Sequence, residues 1–125
     1  MSSSKRKKQA LVVDDSLTIR IYHSSLLRSF GFDVDMAENG MEALEKCLKK
    51  QYDLILSDIN MPVMDGYEFV KKLRSYENYK LTPIVFVTTL NSETDRKKGF
   101  LAGATLYIVK PIDQEVMKNI IESIS

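Results

Sequence analysis

Leu11-Val12-Val13-Asp14-Asp15 is the stretch on which the fold turns: three aliphatic residues run straight into two carboxylates. Three other runs end in the same manner. Leu54-Ile55-Leu56-Ser57 meets Asp58, Ile84-Val85-Phe86-Val87 meets Thr88, and Leu106-Tyr107-Ile108-Val109 meets Lys110-Pro111. Short, continuously apolar runs read as strands buried on both faces, as in a parallel sheet. In an open α/β sheet, ligands sit just beyond the carboxyl ends of the strands. Four parallel strands would bring three carboxylates, a hydroxyl and an ammonium to one edge. Such a set can hold a divalent cation and a phosphoryl group together.

Between these runs the periodicity becomes helical. Ile19, Tyr22, His23, Leu26, Leu27 and Phe30 form one apolar stripe, entered through Asp15 or Ser16, either of which can cap the helix. Gly31 ends it. A short strand follows at 33–37, and Asn39-Gly40 opens a helix with Ala43, Leu44, Cys47 and Leu48 inward. Further strands are expected at 9–14, 52–57, 83–88 and 105–109. Further helices are expected at 67–75 (Phe69, Val70 and Leu73 inward), 92–101 and 113–124 (Val116, Met117, Ile120 and Ile124 at helical spacing). Residues 60–66 are a loop that turns at Asp65-Gly66. Five strands alternating with five helices make an α/β fold, a flavodoxin-like (βα)5 doubly wound parallel sheet with right-handed crossovers and strand order 2-1-3-4-5. Its switch point lies between the first and third strands, which end at Asp14, Asp15 and Asp58.

The chain has 125 residues, enough for one domain with a substantial core, and residues 1–8 read as a basic, flexible tail ahead of a domain at 9–125. A formal net charge of +1 gives no global electrostatic case for nucleic acid or an acidic membrane surface. No apolar run reaches the roughly 18 residues of a membrane span, and no apolar signal segment follows the basic start. The one cysteine, Cys47, excludes an internal disulfide and fits a reducing cytoplasm, where it reads as a small helical core residue. His23 lies mid-helix in the apolar stripe, far from any strand end, and reads as a core-edge packing residue.

These residues resemble the receiver domain of two-component response regulators, in particular the CheY-like stand-alone receivers. The likeness is carried by Leu-Val-Val-Asp-Asp (11–15), Ser-Asp-Ile-Asn-Met-Pro-Val-Met-Asp-Gly (57–66), Val-Thr (87–88), Ala-Gly-Ala (102–104) and Lys-Pro (110–111), in order over about residues 9–124. The resemblance implies that Asp58 accepts a phosphoryl group from a sensor histidine kinase or a phosphotransfer protein. It implies Mg²⁺ held by Asp15 and Asp58, with Asp14 orienting waters and the backbone carbonyl of Asn60 completing the protein ligands. Lys110 would supply positive charge to the phosphoryl oxygens and Thr88 a hydroxyl. A cis bond before Pro111 is a family trait. Thr88 and Tyr107 would form a switch in which Tyr107 turns inward, reshaping a protein-binding face over residues 92–124, in a monomer or a phosphorylation-dependent dimer. Such a protein assists its own phosphorylation and dephosphorylation only, and is not a conventional enzyme.

Two positions depart from the common pattern. Thr89 stands where a small residue is usual, and Leu90 is apolar where an acid or amide would orient an attacking water, so slow self-dephosphorylation is expected. Two other readings stay open. One is a receiver-like binding module independent of phosphorylation. The other is an aspartate-based phosphatase, which wants a second acid two residues after the nucleophile, where this chain has Asn60. No helix is left over for DNA recognition.

Overall fold

A computed structural model describes residues 7–124. Strands β1 (Gln9–Val13), β2 (Asp33–Ala37), β3 (Leu54–Ser57), β4 (Ile84–Thr88) and β5 (Leu106–Val109) alternate with helices α1 (Leu17–Ser29), α2 (Gly40–Lys49), α3 (Gly66–Leu73), α4 (Glu93–Ala102) and α5 (Gln114–Ile124). Every neighbouring pair is parallel and the order is β2-β1-β3-β4-β5, as the sequence pattern requires.

The inner strands β1, β3 and β4 are almost continuously apolar because alternate residues feed two separate cores, whereas the edge strand β2 carries Asp33 and Asp35. Leu11, Val13, Ile55 and Phe86 pack with Ala43 and Cys47 of α2 and Phe69, Val70 and Leu73 of α3. Ala10, Val12, Leu54, Leu56 and Val87 point the other way, against Leu27 of α1 and Met117 and Ile120 of α5. Each Val, Leu, Ile, Phe or Met side chain among them contributes about 1.5–3 kcal/mol when fully buried.

The pairing register sets the site. Val13 lies opposite Ser57, and Thr88 opposite Val109. The residues that follow these strand ends therefore emerge side by side. Asp58 N–H donates to Val13 O at 2.8 Å, and Lys110 N–H to Thr88 O at 2.8 Å, extending the ladder one residue into the site.

Several expectations are corrected. β1 stops at Val13, and β3 begins at Leu54 rather than at 52, with Tyr52 buried ahead of it. Ser16, not Asp15, caps α1, its side chain accepting from Ile19 N–H. Leu48 is exposed: the buried line of α2 is Gly40, Ala43 and Cys47, and Leu48 lies about 100° round the helix from Cys47. In α1 the fully buried positions are His23, Ser24 and Leu27, while Tyr22 leaves the stripe to reach a backbone carbonyl. A 3-10 turn at Glu77–Tyr79 escaped the helical pattern, being too short to show a period, and Tyr79 is completely buried. The tail expected at 1–8 lies outside the described residues except for Lys7 and Lys8. Lys7 Nζ is 3.4 Å from Asp33, and Lys8 O accepts from Asp33 N–H.

Candidate functional site

Oxygens of Asp14, Asp15 and Asp58 all lie within 4.8 Å of one another at the carboxyl edge of the sheet. Asp14 is buried, Asp15 exposed and Asp58 half-buried. The three acids come from the two central strands, whose crossovers leave in opposite directions and open a crevice between them.

Lys110 closes the cluster from the far side. Its Nζ lies 2.9 Å from Asp14 Oδ2 and 3.2 Å from Asp58 Oδ2. Burial works against the Lys110 ammonium, but the two carboxylates outweigh it and hold its pKa above the usual lysine value. The other oxygens of these acids are also engaged. Asp14 Oδ1 accepts from Ser16 N–H at 2.9 Å, and Asp58 Oδ1 from Ile59 N–H at 2.7 Å. Lys110-Pro111 is a cis bond, as the family likeness implied.

The loop after β3 is folded back on Asp58. Gly66 N–H donates to Ile59 O at 2.8 Å, and a Cβ at Gly66 would stand 2.3 Å from Asp58 O. Only glycine allows this approach. Asp65 then caps α3, its side chain accepting from Glu68 N–H at 2.9 Å. Asn60 sits at the exposed start of this loop, two residues past Asp58.

Thr88 is buried at the end of β4, its Oγ1 accepting from Leu90 N–H at 3.3 Å. Tyr107 is also buried, and its hydroxyl donates to Leu90 O at 2.9 Å. The backbone of Leu90 thus joins the two residues expected to form a switch. Arg96 stands 5.2 Å from the Tyr107 ring centroid, and Phe86 and Phe100 flank the ring. Burial pushes the Tyr107 phenol up to about 12.

His23 is buried as expected, but it is not remote from the site. Burial, and next the charge of Lys110, push its imidazole below the ordinary histidine range, while Asp14 and Asp58 pull the other way. The His23 ring centroid lies 5.7 Å from that of Tyr22. Two further contacts were not legible in the sequence. Tyr22 Oη donates to Ile112 O at 2.7 Å, and Arg20 Nη1 donates to Asp14 O at 2.6 Å.

The response regulator receiver domain family matches residues 10–122. This chain belongs to that family. Its relatives include the probable transcriptional regulator ycf29 of Porphyra purpurea, 38% identical over 91% of this chain and 54% of that protein. The receiver thus spans about half the length of that relative. Among solved structures, Vibrio cholerae chemotaxis protein CheY4 is 41% identical with a TM-score of 0.90, covering 96% of this chain and all of that one. The receiver domain of the sensor histidine kinase PA1611 from Pseudomonas aeruginosa PAO1 is 29% identical with a TM-score of 0.87, covering 94% of this chain and 97% of that one. That structure has a magnesium ion coordinated in its active-site cleft.

Receiver domains are signalling modules of two-component systems, and they bind Mg²⁺ at this acidic pocket. The acidic cluster of this receiver fits phosphoryl acceptance. Its all-oxygen donor set suits a hard cation that keeps several waters. No helix among the described residues is long and apolar enough to cross a membrane.

Proposed function

We propose that this receiver takes a phosphoryl group onto Asp58 from the phosphohistidine of a sensor kinase or phosphotransfer protein in the cytoplasm, and then switches a protein-binding face. The observation that carries this reading is Lys110 Nζ, which reaches both Asp14 and Asp58 within a cluster of three carboxylates.

An Asp58 oxygen attacks phosphorus, the P–N bond to the donor imidazole breaks, and the imidazole leaves with the electron pair and takes a proton from solvent. Asp58 accepts from Ile59 N–H through Oδ1, so Oδ2 is the oxygen on the Lys110 side. Lys110 can follow the new phosphoryl oxygens because its ammonium already lies beside that atom. Asp15 and Asp58 would hold Mg²⁺ with the carbonyl of Asn60, and Asp14 would orient its waters. When bound, the ion offsets negative charge on the transferring group.

The phosphoryl group adds nearly two negative charges and new acceptor oxygens. Thr88 Oγ1, now accepting from Leu90 N–H, has a hydroxyl proton to give them. Because Tyr107 bonds the carbonyl of the same Leu90, movement of Thr88 is felt at the face formed by residues 92–124. The Leu90 side chain packs against the apolar core, so it offers no polar group to a hydrolytic water. The receiver assists its own dephosphorylation slowly, and Leu90→Glu should speed the decay.

The deciding experiment is the intact mass after incubation with acetyl phosphate and Mg²⁺, beside Asp58→Ala. A gain of one phosphoryl mass that needs Mg²⁺ and Asp58 is expected. An unlabelled but folded wild-type protein would instead indicate a phosphorylation-independent binding module, and multiple turnover an aspartate-based phosphatase.

A further inference from the structure

Tyr22 lies outside the acidic cluster and is 43% exposed, yet its hydroxyl points inward. It donates to Ile112 O at 2.7 Å across 90 residues of chain. Its ring meets the buried imidazole of His23, with centroids 5.7 Å apart. Ile112 is completely buried and stands two residues beyond Lys110. The Lys110 end of the same segment is held by Lys110 N–H to Thr88 O at 2.8 Å. Lys110-Pro111-Ile112 is thereby tied to β4 at one end and to α1 at the other. Pro111, between them, has no N–H with which to make a further tie.

We propose that Tyr22 is a positioning residue for Lys110. Its hydroxyl holds the Ile112 carbonyl and so the backbone from which the ammonium reaches Asp58. The inference rests on the reading of Asp58 and Lys110 given above. A lysine side chain is a flexible four-carbon stem carrying a point charge. The position of its head depends on how firmly its root is held, so a group that fixes the root acts on the phosphoryl site without touching it. The tie also passes through α1, whose N-cap Ser16 donates its N–H to Asp14, so the lysine root and the acidic cluster share one rigid support. Tyr22→Phe removes only the hydroxyl and keeps the ring against His23.

The test uses wild type, Tyr22→Phe, Lys110→Ala and the double variant. The rate of Asp58 phosphorylation by acetyl phosphate with Mg²⁺ is measured, together with the side-chain ammonium NMR signal of Lys110 in the metal-free protein. Tyr22→Phe should phosphorylate about fivefold more slowly, the size expected for loss of one ordinary hydrogen bond. Its Lys110 signal should move toward those of exposed lysines, and in the Lys110→Ala background it should add no further slowing. A Tyr22→Phe protein that keeps the wild-type rate and signal overturns the inference, as does equal slowing with and without Lys110. Wild-type rates in Lys110→Ala would overturn the role given to Lys110 itself, and an unlabelled wild type the role given to Asp58.

Discussion

Lys110 Nζ lies 2.9 Å from Asp14 Oδ2, joining the end of β5 to the end of β1 across 96 residues. Asp14 is almost wholly buried, and the same ammonium also serves Asp58. Two of the three clustered carboxylates therefore share one cation, an arrangement suited to recruiting a metal ion and a phosphoryl group rather than to stability alone.

Asp15 is the exposed member of this cluster, and its charge repels its two neighbours. Asp15→Asn should stabilise the metal-free protein by about 1 kcal/mol while weakening Mg²⁺ binding, the usual exchange between a functional charge cluster and stability. Thermal unfolding with and without Mg²⁺ and titration calorimetry check the two halves separately. A variant less stable than wild type in the absence of metal would contradict the repulsion.

Gly66→Ala should be severe. The added Cβ would stand 2.3 Å from Asp58 O, 2.9 Å from Ile59 Cα and 2.9 Å from Phe86 Cε1, and the first two atoms are backbone. The loop must move and carry Asp58 with it. A loss of about 3 kcal/mol is expected in urea unfolding, with slower labelling by acetyl phosphate in the folded fraction.

Arg74 joins the end of α3 to two distant segments. It donates to Tyr79 O at 2.6 Å, Thr82 O at 2.7 Å and Gly103 O at 2.9 Å, and also to Thr105 Oγ1. Burial lowers the pKa of its guanidinium, and carbonyl oxygens rather than a carboxylate satisfy it. Lysine cannot span this fork. Arg74→Lys should cost about 2 kcal/mol in chemical denaturation by leaving carbonyls unpaired, with little change in phosphorylation rate, because none of these contacts reaches the acidic cluster.

His23 makes stability depend on pH. Its pKa in the folded protein is below the ordinary value of 6.5 because burial, and then Lys110, disfavour the cation. As pH falls below 6.5 the unfolded chain takes up a proton that the folded protein resists, so stability declines through that interval. His23→Leu removes this component, leaving the carboxylate titrations common to both proteins. Between about pH 7 and about pH 5, wild type should lose more unfolding free energy than the variant, and equal losses would show that His23 is readily protonated in place.

Much of this organisation was written in local pattern. The apolar runs at 11–13, 54–56, 84–87 and 106–109 announced strands, the first three buried on both sides, and the polar residues that follow them are Asp14, Asp15, Asp58, Thr88 and Lys110. The misplacements have local causes too. Leu48 and Tyr22 have apolar character and helical spacing, but periodicity cannot tell which edge of a stripe meets a strand. The turn at Glu77–Tyr79 spans too few residues to show any period.

What the sequence by itself determined is the alternation of elements, the order of the sheet and the residue types gathered at its carboxyl edge. These follow from backbone geometry and from the burial of apolar side chains, both of which act over a few residues at a time. Only the tertiary structure decided that Tyr22 would hold Ile112, that Arg74 would serve Tyr79, Thr82 and Gly103, that His23 would lie within the field of Lys110, and that Leu90 would join Thr88 to Tyr107. Each of these contacts is a polar group finding a partner on another element or across a loop. Which partner it finds depends on where packed helices and strands come to rest, a relation that no local spacing encodes.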